Sequence, residues 1–281
     1  MKHIPMERCT ICIEESCKGK HNCNCGSCSK LNECYRMLHP TIRLTTKCTQ
    51  ECAHCCFSCS PKGGKMMSLD AARAITRFIE KNDVSSINVM GGEFYLNPDW
   101  YEILCMFTGV VCNTRLVTTG DWISNKEVCK KLIDLKQFAG ETLWIAVSKD
   151  KWHNNRNVEA AEKFLIDNGF SYIIGDDNTG SDKSIVPIGR SEGDCNFYGM
   201  LACYCQNPKN KYSFLINEKG MIYKCAFGVW DYADVHDFQD GGFSDVFKEF
   251  NKKFYDIFIP SCASCIRAAR RGKRLDSQLD G

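Results

Sequence analysis

The sequence predicts an α/β protein built around a partial (β/α)6 barrel, with a cysteine-rich extension before it and a small thiolate-rich module after it. Between residues 41 and 188, short β-rich runs alternate with amphipathic runs of helical period, the pattern of parallel βα units rather than of a sandwich or a bundle. Of the 21 cysteines, 18 are bunched in the first forty residues, in the loop after the first strand and toward the C-terminus. A chain of 281 residues, 44% hydrophobic and 25% charged, can bury one substantial core plus an appendage. The implied domains are 1–40, 41–192 and 193–281.

Strands are expected at 41–46, 86–90, 113–118, 143–148, 171–174 and 184–188. The run 69–81 places Ala71, Ile75, Phe78 and Ile79 on one helical face, with Ser68 as N-cap. The run 125–138 repeats this with Val128, Leu132 and Leu135, and 158–168 with Val158, Ala161 and Leu165 before Gly169 stops it. Right-handed crossovers gather the strand C-termini on one side, giving a partial, TIM-like barrel with one mouth for chemistry.

A net charge of +2 from nearly balanced acids and bases leaves no broad footprint for nucleic acid or an anionic membrane. The basic run Arg267, Arg270, Arg271, Lys273 and Arg274 reads as a solvated terminus. The opening MKHIPMERCTIC has no long apolar stretch and no later run is long enough to cross a bilayer, so a cytoplasmic location is expected. There, so many cysteines point to thiolate ligation of iron or zinc rather than to disulfides. Cys105, Cys112 and Cys129 sit in apolar patterns and read as core.

After the first strand comes Cys48-Thr-Gln-Glu-Cys52-Ala-His-Cys55. Three thiolates on a cubane leave one iron open to a chelating small molecule. A zinc site with His54 as fourth ligand is the rival reading, but His54 lies too close to Cys55 to serve comfortably. Gly91-Gly92-Glu93 follows the second strand, Thr118-Thr119-Gly120 the third and Ser148-Lys149-Asp150 the fourth, with Pro187-Ile188-Gly189-Arg190 at the sixth.

This set resembles the radical S-adenosylmethionine (SAM) superfamily. The resemblance implies a [4Fe–4S] cluster on Cys48, Cys52 and Cys55, with SAM on its open iron. His54 takes the family's aromatic position before the last cysteine. Gly91, Gly92 and Glu93 look like the motif that binds the SAM amino group, and Thr119 stands in the step that is usually Thr-Asn-Gly. Ser148 is similar to a ribose contact, and Arg190 to an arginine near the SAM carboxylate. Lys149, Asp150 and His153 are candidates for a proton-accepting group at the mouth, beside the ordinary alternative of loop solvation. Cys56 and Cys59 exceed what one cluster needs.

Downstream, Cys205 precedes a hairpin of strands 212–217 and 221–225 that ends at Cys225, and Cys262-Ala-Ser-Cys265 supplies a further pair. This resembles the twitch domain, the shortened relative of the SPASM domain, and implies an auxiliary [4Fe–4S] cluster on Cys205, Cys225, Cys262 and Cys265. A zinc ribbon on the same residues is the alternative. In the first forty residues, Cys25, Cys28 and Cys34 echo a SPASM run displaced to the wrong end of the chain. Seven thiols in this polar segment fit a further cluster, zinc or unligated thiols.

The resemblance implies reductive cleavage of SAM to a 5′-deoxyadenosyl radical, hydrogen abstraction, and oxidation or crosslinking of a peptide substrate, with a flavodoxin- or ferredoxin-type reductant. Dehydrogenation or rearrangement of a small metabolite is the main rival, and a non-catalytic zinc-binding protein the alternative of another class.

Overall fold

The structure is a computed structural model that describes residues 38–82, 84–175, 213–224 and 231–256. Thirteen-residue α1 (Leu69–Lys81) follows β1 (His39–Arg43), and β2 (Ser86–Met90), α2 (Trp100–Thr108), β3 (Asn113–Thr118), α3 (Lys126–Ala139), β4 (Leu143–Val147), α4 (Val158–Asp167) and β5 (Ser171–Ile174) continue the alternation. After residue 212 come β6 (Ser213–Ile216), β7 (Met221–Tyr223), β8 (Asp231–Asp234) and α5 (Phe243–Asp256). One eight-stranded sheet joins them in the order β5-β4-β3-β2-β1-β6-β7-β8. Every pairing from β5 to β6 is parallel, and the last two are antiparallel. This is a mixed α/β fold on a parallel sheet.

The helices start where their caps say. Ser68 Oγ accepts from the Ala71 N–H at 3.2 Å and opens α1, and Asn125 accepts from Glu127 and Val128 and opens α3. Asn125 is therefore a cap rather than the first helical residue. The buried face of α1 is Ala72, Ile75, Phe78 and Ile79. Ala72 takes the place expected of Ala71 because it lies seven residues from Ile79, closer to two full turns on a 3.6-residue period. Buried Val128, Leu132 and Leu135 on α3, and Val158, Ala161 and Leu165 on α4, match the periodicity. Gly169 ends α4 at φ +65°.

Helix α2 was not expected from the pattern. Its buried Trp100, Ile103, Leu104 and Phe107 do recur at helical spacing, but the apolar Tyr101, Cys105 and Met106 between them blur the period. The first and fourth strands are shorter than expected, ending at Arg43 and Val147, because the chain leaves the sheet there to form the loops of the candidate site.

The hairpin assigned from sequence to the C-terminal module is part of this sheet. β6 pairs in parallel with β1, from His39 opposite Ser213 to Ile42 opposite Ile216. Gly220 makes the turn into β7 at φ +91°, and the Asn217 side chain accepts from the N–H groups of Lys219 and Met221. The Phe214 ring of β6 packs at an angle against both Phe243 and Phe247 of α5, each with ring centres 5.1 Å apart, and Phe243 reaches Phe78 of α1 at 5.0 Å. Residues 1–37, 83, 176–212, 225–230 and 257–281 lie outside the described residues, and with them the expected strand 184–188, Arg190, Cys25, Cys28, Cys34, Cys205, Cys225, Cys262 and Cys265.

Candidate functional site

Parallel strands place their following loops on one edge of the sheet, and every described candidate residue lies there. The loop after β1 carries the three cysteines. It folds on itself through Thr46 N–H to Lys65 C=O at 2.9 Å and Cys48 N–H to Ser60 C=O at 3.0 Å. Within it, Cys55 N–H donates to Cys52 C=O at 3.1 Å. Cys48 is buried, and Cys52 and Cys55 are half-buried.

None of the three is drawn into a disulfide, and Cys48 feels both of the others electrostatically. Burial pushes the Cys48 thiol up to about 11, with the neighbouring Cys52 and Cys55 adding to it. A metal cation supplies the positive charge that makes such a thiol a thiolate. The Cys59 N–H already donates to Cys55 Sγ at 3.3 Å, the kind of bond that supports a ligating sulfur. Cys59 itself is buried, and its contact with Cys55 together with burial raises its thiol well above the usual range. The donor set fits an iron–sulfur cluster.

Gly91 and Gly92 sit where the chain after β2 presses on this loop. Gly91 has φ +141°, and Gly92 N–H donates to Thr45 C=O at 2.8 Å. No side chain fits between the two segments.

Glu93 turns inward and is fully buried. Thr118 Oγ1 reaches both its oxygens, at 2.8 and 2.9 Å, while Thr119 donates its N–H at 3.1 Å and its hydroxyl at 3.0 Å. Burial lifts the Glu93 carboxyl to about 7, and these hydrogen bonds oppose the rise. The sequence expects Thr119 at a SAM contact; in the structure its hydroxyl is committed to Glu93.

Asp121, directly after the Thr-Thr-Gly step, was not singled out from sequence. It is buried, and its carboxylate accepts from Thr49 Oγ1 at 2.5 Å, Gln50 Nε2 at 3.1 Å and Asn157 Nδ2 at 2.8 Å. Burial works to raise its carboxyl, but these donors outweigh it and the net shift is downward. Position alone could have flagged it, since it follows a strand C-terminus within the mouth.

Ser148 stands at the end of β4, half-buried, with its N–H on Thr118 C=O at 2.8 Å. Past it, Asp150 caps the N–H groups of Trp152 and His153 and holds His153 Nδ1 at 2.8 Å. Burial disfavours charge on both partners. Their mutual contact wins, so Asp150 is held low and His153, which also meets Cys52, is pushed up to about 10. The His153 ring packs edge-on against His54 at 4.8 Å, and Trp152 lies 6.1 Å from His54. The structure thus brings Cys48, Cys52, Cys55, His54, Gly91, Gly92, Glu93, Thr119 and Ser148 to the same edge. No helix among the described residues is long and apolar enough to cross a membrane.

A family model described as the Radical SAM superfamily matches residues 42–154, the stretch from β1 through the loop after β4. Two proteins of Bacillus subtilis (strain 168) are similar to this chain. YydG, provisionally named a peptide biosynthesis protein, is 27% identical over 116 residues, covering 40% of this chain and 36% of that protein. AlbA, named for biosynthesis of the antilisterial bacteriocin subtilosin, is 29% identical over 106 residues, covering 38% of this chain and 23% of that protein. The chain thus spans well under half the length of the curated relatives it matches. Among solved structures, BtrN in complex with AdoMet and 2-DOIA aligns with a TM-score of 0.51 at 13% identity, over 77% of this chain and 86% of that one, a likeness of fold.

Proposed function

Because a model of the radical SAM superfamily matches residues 42–154, we propose that the chain is a peptide-modifying radical SAM enzyme, holding a [4Fe–4S] cluster on Cys48, Cys52 and Cys55 and binding SAM between that cluster and the mouth of a partial barrel. The observation that carries the cluster is the three-thiol loop itself, packed by Gly92 and joined to Asp121 and to the loop after β4. The naming of both bacterial relatives for peptide products supports the peptide substrate.

When bound, cluster and SAM together supply a 5′-deoxyadenosyl radical that takes a hydrogen atom from the substrate. The chain's own residues order the place where this happens. Gly91 and Gly92 let the backbone after β2 lie against the cluster loop, and Glu93 holds Thr118 and Thr119 at the strand ends beside it. His54, Trp152 and His153 form an aromatic wall next to Cys55, suited to an adenine face. Ser148 is assigned to a ribose hydroxyl and Arg190 to the SAM carboxylate. Cys205, Cys225, Cys262 and Cys265 are assigned to an auxiliary cluster, and Cys25, Cys28 and Cys34 to a further cluster or zinc. A flavodoxin- or ferredoxin-type protein is the proposed electron source.

The test is anaerobic reconstitution followed by assay with SAM and dithionite, comparing the wild type with a Cys48/Cys52/Cys55→Ala variant. Formation of 5′-deoxyadenosine by the wild type alone supports the radical chemistry, and iron retained by the variant counts the auxiliary sites. Deuterium passing into deoxyadenosine from a deuterated peptide supports the substrate class. Transfer only from small alcohols would move the assignment to metabolite oxidation, and zinc with no SAM cleavage would remove the enzyme reading.

A further inference from the structure

We propose that Asp121 is the positioning residue of the cluster loop: through Thr49 and Gln50 it fixes the segment between Cys48 and Cys52, and so sets how the three thiolates converge. This rests on the radical SAM reading of the loop and adds a residue that reading does not assign.

The segment between Cys48 and Cys52 has no regular structure, yet two of its three residues are pinned by side chains. Thr49 Oγ1 and Gln50 Nε2 donate to the same carboxylate oxygen of Asp121, at 2.5 and 3.1 Å. Gln50 is 9% exposed and its amide is used on both ends. Its Nε2 also reaches Asn154 C=O at 3.3 Å, and its Oε1 accepts the Asn154 N–H at 2.9 Å. A glutamine clamped onto one residue's N–H and C=O copies a strand pairing, and here it joins the cluster loop to the loop after β4. The other Asp121 oxygen accepts from Asn157, at the start of α4.

Asp121 is itself held from the β2 side. Its N–H lies 3.4 Å from Thr119 Oγ1, whose hydroxyl donates to Glu93. One chain of polar groups, buried except at exposed Thr49, thus runs from Glu93 through Thr119 and Asp121 to Thr49 and Gln50. An ionised carboxylate accepting several neutral donors makes stronger bonds than a neutral acceptor would, which suits a role in holding a loop still. Such outer contacts add to the loop's own backbone hydrogen bonds in pre-organising the thiolates it must present to a cluster.

The experiment uses the full chain, reconstituted without oxygen, as wild type, Asp121→Ala, Asp121→Asn, a Thr49→Val/Gln50→Leu double variant and Asn157→Ala. Iron and sulfide per chain, the rate of iron loss to a chelator, and the electron paramagnetic resonance signal of the dithionite-reduced cluster with and without SAM are measured. Asp121→Ala and the double variant should lose iron at least about tenfold faster and show an altered signal, as expected when an outer contact of a metal ligand loop is removed. Asp121→Asn, which keeps one acceptor oxygen, should recover part of the wild-type signal. Asn157→Ala removes one of the donors that hold the Asp121 carboxylate and should give an iron-loss rate between those of wild type and Asp121→Ala. Because Asp121→Ala could fail to fold, the double variant decides: a wild-type signal and iron-loss rate in it would overturn the proposal. A wild type that takes up no iron overturns both this role and the radical SAM reading, whereas a normal wild-type cluster with unaffected variants overturns the role of Asp121 alone.

Discussion

Gly92 lies so close to Lys47 that a Cβ built on it would stand 1.8 Å from the Lys47 carbonyl oxygen, the same oxygen that accepts the Glu93 N–H at 2.9 Å. The glycine pair is therefore a packing requirement of the chain entering Cys48, whatever else it contacts. Gly92→Ala should force the cluster loop away and cost about 3–5 kcal/mol, in the range of strongly strained sites. Urea unfolding of the metal-free protein measures it, and an unchanged midpoint would show that the loop yields freely.

Glu93 gives the metal-free protein a pH signature. Its carboxyl is raised from 4.5 to about 7, so between those values the unfolded chain is ionised while the folded chain keeps its proton. Its contribution is fully present below 4.5 and is lost as pH rises through about 7. The loss is on the order of 3 kcal/mol at one pKa unit per 1.36 kcal/mol. Denaturant titrations at pH 5 and pH 7.5 should show this fall in wild type and not in Glu93→Gln; parallel slopes would contradict it.

Arg43 donates both Nε and Nη2 to Glu218 Oε2 at 2.8 Å, with the pair 14% and 3% exposed. Glu218→Ala leaves a guanidinium with its partner gone and should cost about 3–5 kcal/mol, while Glu218→Ala combined with Arg43→Met should recover part of that loss. A double-mutant cycle by thermal unfolding resolves the coupling, and strict additivity would mean that the pair contributes nothing.

Phe214 joins the sheet to α5 through Phe243 and Phe247. Phe214→Ala should destabilise by about 3–5 kcal/mol and weaken the near-ultraviolet circular dichroism, since it empties the centre of an aromatic cluster. A loss under about 1 kcal/mol would mean that the neighbouring rings close the gap.

Much of this was legible in the sequence because local rules governed it. Ser68 and Gly169 bound their helices through capping chemistry, and the strands 86–90, 113–118 and 171–174 stand as their β-rich runs imply. The gathering of Cys48, Gly92, Glu93 and Ser148 followed from parallel topology, which puts the loops after consecutive strands on one edge. What stayed hidden depended on contacts between distant residues. Nothing local says that β6 pairs with β1, that Glu93 faces Thr118 and Thr119, or that Gln50 clamps Asn154. Asp121 was missed for the same reason: a single acidic residue after a turn looks like a solvated one until its three donors are in place.

The parallel pairing of β6 with β1 bears on how the protein is made. β1 emerges from the ribosome with Pro40, Thr41 and Ile42 all destined for burial, but the strand that covers its outer side is synthesised only after β2 to β5 have passed. Until then β1 is an open edge able to pair with another nascent chain. A truncation before residue 213 would make that condition permanent, so such fragments should aggregate rather than stand as a smaller enzyme.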